Sequence, residues 1–273
     1  MMSEELRAGD VRRKERRKMG NSLIKVLLVT GALLFAGSQA VLATPITISD
    51  RVNSGTNPWY GDRENDEVEP GCVTGQAWDL ESFDLTGTTL TLTGGWNFRN
   101  GYQGNASGDI FIDVNRNAVW GQDVFGGRGE GNRTEYNSAY NYDYVIHFNQ
   151  RSGTTIGAGG YQVIRLTEDS RVVLTTSYYR QNDESSPWVY RSGGVGEGSG
   201  AATFGQFDDH YTMAVDVGFL GDVSDALFKF TMQCGNDNMI GRGDVSVPDG
   251  GLTAMLLGMG LIGMAAIKRR LRS

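Results

Sequence analysis

Acidic and amide side chains alternate in the segment that begins at Asp109, and this spacing could bind a cation. Asp113, Asn115 and Asn117 stand at every second position, with Asp109 before them and Asp123 after them. Oxygen ligands at alternate positions can turn toward one centre, as in calcium loops. The segment departs from the EF-hand pattern, because alanine stands at the sixth place and no Glu stands at the twelfth. These five residues are candidate calcium ligands, and a polar turn after a strand is the alternative interpretation.

Carboxylates elsewhere could support hydrolysis of a glycosidic bond, which uses two carboxyl groups on either side of a cleft. Many acidic pairs are available, among Glu81, Asp84, Glu168, Asp169, Asp208 and Asp209. An acidic surface supplies such pairs by chance, and the sequence has no GxSxG motif to indicate a serine nucleophile. We therefore interpret the two histidines, His147 and His210, as packing or surface residues rather than catalytic ones.

Aromatic residues in segments rich in Gly and Asn could stack on the faces of sugar rings. The candidates are Trp59, Tyr60, Trp96, Tyr102, Trp120, Tyr136, Tyr140, Tyr142, Trp188 and Tyr190. The same rings could belong to the hydrophobic core, which is where large aromatic side chains are most often found. Packing is the favoured interpretation, and sugar binding is the alternative.

Residues 1–43 have the order of a secretory signal peptide. A basic stretch from Arg12 to Lys18 precedes an apolar run from Val26 to Ala36, and the small residues Ala40 and Ala43 follow. An apolar run of about a dozen residues is short of the ~20 that cross a bilayer, which argues against a transmembrane anchor. We therefore predict a signal peptide, with Met19 as an alternative start of translation.

Residues 247–273 form a second signal in three parts. The motif Val247–Gly251 comes first, an apolar stretch from Leu252 to Ile267 follows, and the chain ends with a basic tail. Such a stretch is close to the lower limit of about 17 residues for a transmembrane helix. Basic residues tend to stay in the cytoplasm, so the bulk of the chain would lie outside. The basic residues of the tail are Lys268, Arg269, Arg270 and Arg272.

The order of motif, apolar helix and basic cluster resembles the PEP-CTERM class of bacterial sorting signals, in the variant that begins Val-Pro-Asp. The resemblance implies that Val247, Pro248 and Asp249 are recognised by exosortase, a membrane cysteine protease, and it implies an association with exopolysaccharide. Gly250 stands where the closest variant, VPDSG-CTERM, has Ser, and the pair Gly250-Gly251 is also similar to tails of the rhombosortase type. Segments such as AWDLESFDL and SGDIFIDVN resemble the passenger domains found before such tails, which implies an extracellular, β-rich protein.

The chain has two cysteines, Cys72 and Cys234, which lie near the two ends of the region between the signals. An even number of cysteines in an exported protein favours a disulfide. Closing a loop of this length would stabilise the fold by about 4–5 kcal/mol in the chain-entropy model. Two histidines and two distant cysteines do not form a usual zinc pattern, so we predict a Cys72–Cys234 disulfide.

The region between the two signals is strongly acidic. Residues 44–249 contain 13 Arg and Lys against 28 Asp and Glu, which gives a net charge of −15. Such a surface repels nucleic acid and anionic lipid headgroups, and it could attract divalent cations. Nucleic acid is therefore excluded as a partner.

Short runs with period-two alternation predict strands across residues 44–246. The predicted strands are 88–93, 95–98, 109–114, 142–148, 161–167, 172–178, 188–190, 201–204, 211–217 and 227–234, and the glycine-rich segments 126–131, 157–160 and 193–200 are predicted to connect them. This pattern predicts an all-β fold with one β-sandwich domain of the jelly-roll type. The N-terminal signal peptide and the C-terminal transmembrane sorting helix would flank that domain.

The sequence as a whole predicts an exported protein of the cell surface or exopolysaccharide matrix. It would be anchored in the membrane by the C-terminal helix until an exosortase-type enzyme processes it. We expect it to be structural, adhesive or carbohydrate-binding rather than an enzyme, with an extracellular polysaccharide as partner and no cofactor other than the candidate calcium. The alternatives are a secreted polysaccharide hydrolase with paired carboxylates and a calcium-dependent carbohydrate-binding module.

Overall fold

The fold is known from a computed structural model, which describes residues 43–48, 75–119, 133–157, 160–176, 185–247, 258–264 and Lys268. All of these residues belong to one unit, Ala43–Ser273. The pairings between the described strands are all antiparallel. Helical structure in the described part of the chain is limited to three short 3₁₀ turns, to Ser185 and to residues near the C-terminus. The three turns are Gln76–Trp78, Asn137–Ala139 and Gly218–Leu220. The all-β prediction is confirmed.

Two larger sheets contain most of the described strands, which are numbered here in chain order. The first sheet has the spatial order β1 (Thr44–Pro45), β3 (Leu80–Thr86), β4 (Thr89–Gly94), β15 (His210–Asp216) and β14 (Thr203–Phe207). The second has the order β13 (Val195–Gly200), β10 (Tyr161–Arg165), β7 (Tyr144–His147), β5 (Ile110–Asp113), β16 (Val223–Thr231), β17 (Asn238–Val245) and β2 (Thr47–Ile48).

Two smaller sheets complete the described strands. One has the order β12 (Val189–Ser192), β11 (Arg171–Val173) and β6 (Thr134–Tyr136). The other is a hairpin of β8 (Arg151–Ser152) and β9 (Thr155–Ile156). The smaller sheets cover surfaces that the larger sheets would otherwise expose.

The main hydrophobic core contains side chains from both larger sheets. Leu90 and Leu92 are buried in β4, and threonines occupy the positions between them, so the predicted alternation of that strand is confirmed. These leucines belong to one cluster with Ile110 of β5 and Phe228 of β16. Burying each such side chain contributes about 1.5–3 kcal/mol, so this cluster is the principal source of stability.

The seven-stranded sheet is buried on both of its faces. Phe111 of β5 and Leu227 of β16 point away from the main core and join a second cluster, which also contains Val172 of β11. Because successive side chains of a strand point to opposite faces, β5 is apolar at consecutive positions and does not alternate. The three-stranded sheet therefore contributes to covering the second face of the seven-stranded sheet.

A buried carboxylate joins this second face to the smaller sheets. The Asp109 side chain is fully buried and accepts hydrogen bonds from His147 Nδ1 at 2.7 Å and from Arg151 Nη2 at 2.9 Å. It also accepts bonds from the backbone N–H groups of Phe148 and Tyr190. Burial alone would raise the pKa of Asp109, but His147 and Arg151 outweigh burial and hold that pKa below its ordinary value. This network connects β5 to the end of β7, to β8 and to β12.

Lys229 is a second buried ionisable side chain on the same face of the seven-stranded sheet. Its Nζ donates to the carbonyl oxygens of Ser185 and Pro187, and its side chain is fully buried in β16. Burial lowers the pKa of this lysine well below its ordinary value, since water no longer solvates the charged form. Lys229 thus satisfies carbonyl groups of the segment that leads into β12.

Cys234 is buried and forms no disulfide with any described residue. Its predicted partner, Cys72, lies outside the described residues, so the disulfide stays a prediction. Burial raises the pKa of the Cys234 thiol to about 11. A thiol with that pKa would be largely protonated at neutral pH and slow to react.

The two terminal signals fall largely on residues outside the described ranges. Residues 1–42 of the predicted signal peptide, Pro248–Gly251 and Arg269–Ser273 lie there, so these predictions stay predictions. Residues 258–264 are helical. Within the described part of the chain, no helix has both the length and the hydropathy of a membrane span.

Replacing Asp109 by asparagine is expected to lower the free energy of unfolding by about 2–3 kcal/mol, because it takes the counter-charge from the half-buried Arg151 and weakens a buried acceptor. Asp169→Asn is the matched control, since Asp169 is exposed in a turn and its replacement should cost no more than about 0.5 kcal/mol. Urea denaturation of both variants measures the difference. Equal stability of the two variants would contradict the structural role of Asp109.

The lowered pKa of Asp109 predicts that a component of the protein's stability is lost in acid. Because the folded pKa of Asp109 is below its ordinary value of 3.8, its stabilisation is complete above that pH and is lost as the pH falls toward the folded value. The wild-type protein should lose this component on acidification, and Asp109→Asn should already lack it. Denaturation curves of both proteins at a series of acidic pH values test this, and identical pH slopes would contradict it.

Candidate functional site

A groove of about 220 Å³ opens beside the hairpin of β14 and β15. One wall is the loop Asn97–Asn100, which follows β4, and the other is formed by Phe204–Gln206, Tyr211 and Thr212. The volume is below the ~300–1,000 Å³ of sites for drug-sized ligands, so the groove suits one ring-sized group at a time.

Strand register places the hairpin side chains in this groove. Phe204 pairs with Met213, and Gln206 pairs with Tyr211. Directly paired residues of an antiparallel sheet have their side chains on one face, and Met213 is fully buried in the main core. Phe204, Gln206 and Tyr211 therefore share the core-facing side of the sheet, at the end where the core opens to solvent. Phe204 and Tyr211 are half-buried and pack against the core cluster.

The loop wall is anchored through buried hydrogen bonds. Trp96 is fully buried, and its Nε1 donates to Ser107 Oγ at 2.8 Å. Ser107 Oγ in turn donates to the carbonyl oxygen of Phe98 at 2.7 Å. The ring of Phe98 packs against Phe230 of β16, with ring centroids 5.5 Å apart. These contacts fix the start of the loop to both larger sheets.

A tight turn fixes the rest of the loop. Asn97 Oδ1 accepts from the N–H of Asn100, and the N–H of Gly101 donates to the carbonyl oxygen of Asn97. The carbonyl oxygen of Arg99 accepts from the N–H of Ile156 in β9 at 2.7 Å. The loop is therefore held in place before any ligand arrives, which lowers the entropic cost of binding.

The groove combines groups that recognise a polar ring. Phe204 and Tyr211 supply aromatic surface, while Asn97, Asn100 and Gln206 supply amide donors and acceptors. Aromatic side chains can stack on the apolar face of a sugar, and amides can bond its hydroxyl groups. None of the described residues that line the groove is a carboxylate. The groove therefore offers aromatic surface and neutral hydrogen-bonding groups.

The structure separates the candidate calcium ligands. Asp109 and Asp113 lie just before and at the end of β5, and Asp109 belongs to the network with His147 and Arg151. Asp113 Oδ1 accepts from the N–H groups of Asn115 and Arg116, and its Oδ2 accepts from that of Ala118. Asn115 Oδ1 accepts from the N–H of Asn117. Asp123 lies outside the described residues.

Asp143, which sequence analysis did not select, lies beside Asp113. It accepts from the N–H of Val114 at 2.7 Å and from Asn115 Nδ2 at 2.7 Å. Burial and the nearby Asp113 carboxylate raise the pKa of Asp143 above its ordinary value. In the described ranges, no three His, Cys, Asp or Glu side chains come together as a metal cluster. Calcium binding stays a prediction, and Asp109 differs from the other candidate ligands because its carboxylate bonds His147 and Arg151.

Some of the predicted carboxylates contact histidines. Glu81 Oε1 accepts from Gln76 Nε2 and lies 3.2 Å from His210 Nε2. The Asp209 carboxylate lies 2.9 Å from the other ring nitrogen of His210. Asp84 accepts from the Ser82 hydroxyl, while Glu168 and Asp169 are exposed. None of these groups lines the groove.

Three of the seven predicted aromatic candidates in the described ranges are core residues, and Trp188 and Tyr190 are half-buried. Trp96, Tyr140 and Tyr142 are at most 2% exposed, so the packing interpretation is confirmed for them. Tyr102 and Tyr136 are exposed, and the Arg171 guanidinium lies 3.3 Å from the ring centroid of Tyr136. Trp59, Tyr60 and Trp120 lie outside the described residues. Sequence analysis missed Phe204 and Tyr211, since only strand register brings them to the loop Asn97–Asn100.

Comparisons with known proteins identify no relative of this chain. The chain matches no family model, no curated protein and no solved structure. The functional argument therefore depends on the geometry of the molecule itself.

Gly101 closes the groove loop and is expected to tolerate no side chain. Its φ is +69°, and a Cβ would lie 2.1 Å from the carbonyl oxygen of Asn105. Gly104 has a φ of +81°, but a Cβ there would meet nothing within 4 Å. Gly101→Ala should therefore destabilise the protein by about 2 kcal/mol more than Gly104→Ala. Thermal or urea denaturation measures this difference, and equal losses would show that the loop can rearrange.

Proposed function

We propose that this chain is an exported, non-enzymatic protein of the cell surface or exopolysaccharide matrix, and that it binds carbohydrate in the groove between Asn97–Asn100 and β14–β15. The observation that carries the proposal is the combination of half-buried aromatic rings and amides in one preorganised groove. Binding rather than turnover is favoured, because the described lining contains no acid or base pair of the kind that glycoside hydrolysis uses.

We also infer that the two larger sheets are the layers of a single β-sandwich. Their shared hydrophobic cluster and antiparallel pairing support this architecture. Several consecutive strands, such as β3 with β4 and β16 with β17, are neighbours within one sheet. The strand order is therefore closer to paired hairpins than to the two Greek keys of a jelly roll.

In the proposed binding mode a sugar ring lies against Phe204 and Tyr211. Such stacking uses the apolar face of the ring, while Asn97, Asn100 and Gln206 bond its hydroxyl groups. Neutral hydrogen bonds of this kind contribute about 0.5–1.5 kcal/mol each. A single small groove thus gives weak binding to one sugar unit, and a polymer with many such units would be held by repeated contacts.

The C-terminal segment supports the proposed route to the surface. β17 ends at Val245, and Val247, the first residue of the motif, is 43% exposed. Its N–H donates to Asp222 Oδ1 at 2.8 Å, so the motif begins where the folded strands end. Leu261, Ile262 and Met264 are more than half exposed, as expected of a segment that would enter a membrane. An exosortase-type enzyme would act at Val247–Asp249.

The groove proposal predicts that loss of its side chains weakens polysaccharide binding. Phe204→Ala should reduce affinity about tenfold, because it removes the stacking surface. Gln206→Ala should reduce affinity about threefold to tenfold, and its exposed position should leave the fold intact. Affinity electrophoresis of the purified protein in gels that contain neutral and acidic polysaccharides measures both effects.

Phe207→Ala is the matched control for this experiment. Phe207 lies on the same strand as Phe204 and is 52% exposed, but it does not line the groove. Its replacement should leave binding unchanged. If the Phe204 and Gln206 variants bind as the wild type does, or if no polysaccharide retards the wild-type protein, the groove is not a carbohydrate site. Release of reducing ends that depends on Glu81 or Asp209 would instead favour a hydrolase.

The sorting proposal predicts a covalent change at the C-terminus. In the native host, the wild-type protein should lose its tail and reach the surface, as shown by intact mass and cell fractionation. A variant with Val247, Pro248 and Asp249 replaced by alanine should keep full tail length and stay in the membrane, whereas Asp169→Ala should be processed normally. Retention of the tail by every variant would mean that the segment is only an anchor.

A further inference from the structure

Half of the ten basic side chains in the described region are paired with a carboxylate. Arg151 lies 2.9 Å from Asp109, Arg165 lies 2.7 Å from Glu197, and Arg116 and Arg242 both contact Asp225. This is expected in a region with a net charge of −15, where acidic groups outnumber basic ones about two to one. An unpaired basic side chain matters most where it lines the groove, because there it could meet a bound ligand.

Arg99 is such a side chain, and it lies in the groove. It is exposed, and it forms no ion pair with any described residue. Its guanidinium lies 6.0 Å from the ring centroid of Phe204. Its backbone is held by Ile156, so the side chain starts from a fixed point on the groove wall. The groove thus offers one positive charge beside an aromatic ring, and the described lining has no negative charge to balance it.

We propose that the groove selects a sugar that carries a carboxylate, a hexuronate residue of an acidic polysaccharide, and that Arg99 binds its carboxyl group. This inference rests on the proposed carbohydrate function and names the class of sugar. A guanidinium is planar and can donate two parallel hydrogen bonds to one carboxylate. The uronate ring would stack on Phe204 while its hydroxyl groups meet Asn97, Asn100 and Gln206.

The overall negative charge of the protein does not prevent this contact. At physiological ionic strength the Debye length is about 8 Å, so carboxylates far from the groove are largely screened. The Arg99 guanidinium would touch the ligand directly, and its attraction is screened much less at contact distance. A hydrogen bond between charged groups contributes about 1.5–3 kcal/mol, which corresponds to a preference of tenfold or more for the charged sugar.

The test compares two probes of equal length, an oligogalacturonate and the same oligomer with its carboxyl groups reduced to primary alcohols. Isothermal titration calorimetry at constant salt measures their affinities for the wild type, Arg99→Gln and Arg191→Gln. Arg191 is an exposed arginine on β12 that does not line the groove, so it controls for a general loss of positive charge. Phe204→Ala is included to report on the groove itself.

The wild type should bind the charged oligomer about tenfold tighter than the reduced one. Arg99→Gln should abolish this preference and leave affinity for the reduced oligomer within about twofold, while Arg191→Gln should keep the preference. Equal affinity for both probes in the wild type, with Phe204→Ala weakening both, would overturn the uronate assignment and leave the carbohydrate function standing. An equal effect of both arginine variants would also overturn the assignment. Absence of binding to either probe, with no retardation by any polysaccharide in affinity gels, would overturn both proposals.

Discussion

The buried carboxylate of Asp109 is the contact on which the arrangement of the smaller elements depends. A carboxylate without water needs several donors, and here they come from three different parts of the chain: His147 and the N–H of Phe148, the guanidinium of Arg151, and the N–H of Tyr190. Arg151 is the first residue of β8, and it pairs with Ile156 of β9. The N–H of Ile156 in turn donates a hydrogen bond to the carbonyl oxygen of Arg99. Hydrogen bonds and the pairing of β8 with β9 therefore connect the buried charge just before β5 to the wall of the groove. The same contacts explain why the candidate calcium ligand Asp109 is already fully used by the protein.

Hydrophobic alternation predicted some of the strands that carry core side chains, such as β4, but it missed β3, where Phe83 and Leu85 are buried. The predicted strand 95–98 was wrong, because those residues form bends and turns. The segment 88–93 was predicted from its alternating leucines, and it corresponds to β4. The glycine-rich segment 193–200 was predicted to be a connector, and this was wrong, because Val195–Gly200 pairs with β10 as an edge strand whose side chains contribute little burial. The sequence of β17 shows no hydrophobic alternation, because a glycine, Gly241, stands at a packed position. A Cβ at Gly241 would lie 2.8 Å from the Phe83 side chain. A missing side chain there allows close packing, which a pattern of hydrophobic residues does not show.

The candidate groove could not be predicted from the sequence, because its two walls are about 100 residues apart in the chain. The loop NFRN carries no motif, and Phe204 and Tyr211 become neighbours of that loop only through the pairing of β15 with β4. The paired carboxylates show the same limit. Sequence analysis found Asp113 from its local spacing with Asn115, but Asp143 comes from a neighbouring strand segment, and register alone brings it close. Local spacing finds ligands on one strand, whereas a site built across strands needs the sheet order.

The positions of the groove and of the C-terminal motif along the strands are consistent with a protein that binds while it is attached. Tyr211, which lines the groove, is near the start of β15. Val223 follows the other end of β15, and it pairs with Val245 at the end of β17. Ser246 lies beside the turn between β3 and β4, because its carbonyl oxygen would be 3.7 Å from a Cβ placed on Gly87. The groove loop begins after the opposite end of β4. Strands of six or seven residues separate the two places by about 20 Å. In the proposed attachment through the segment after Val247, the groove would lie about 20 Å from the point of attachment, because the strands themselves set the distance between the two ends.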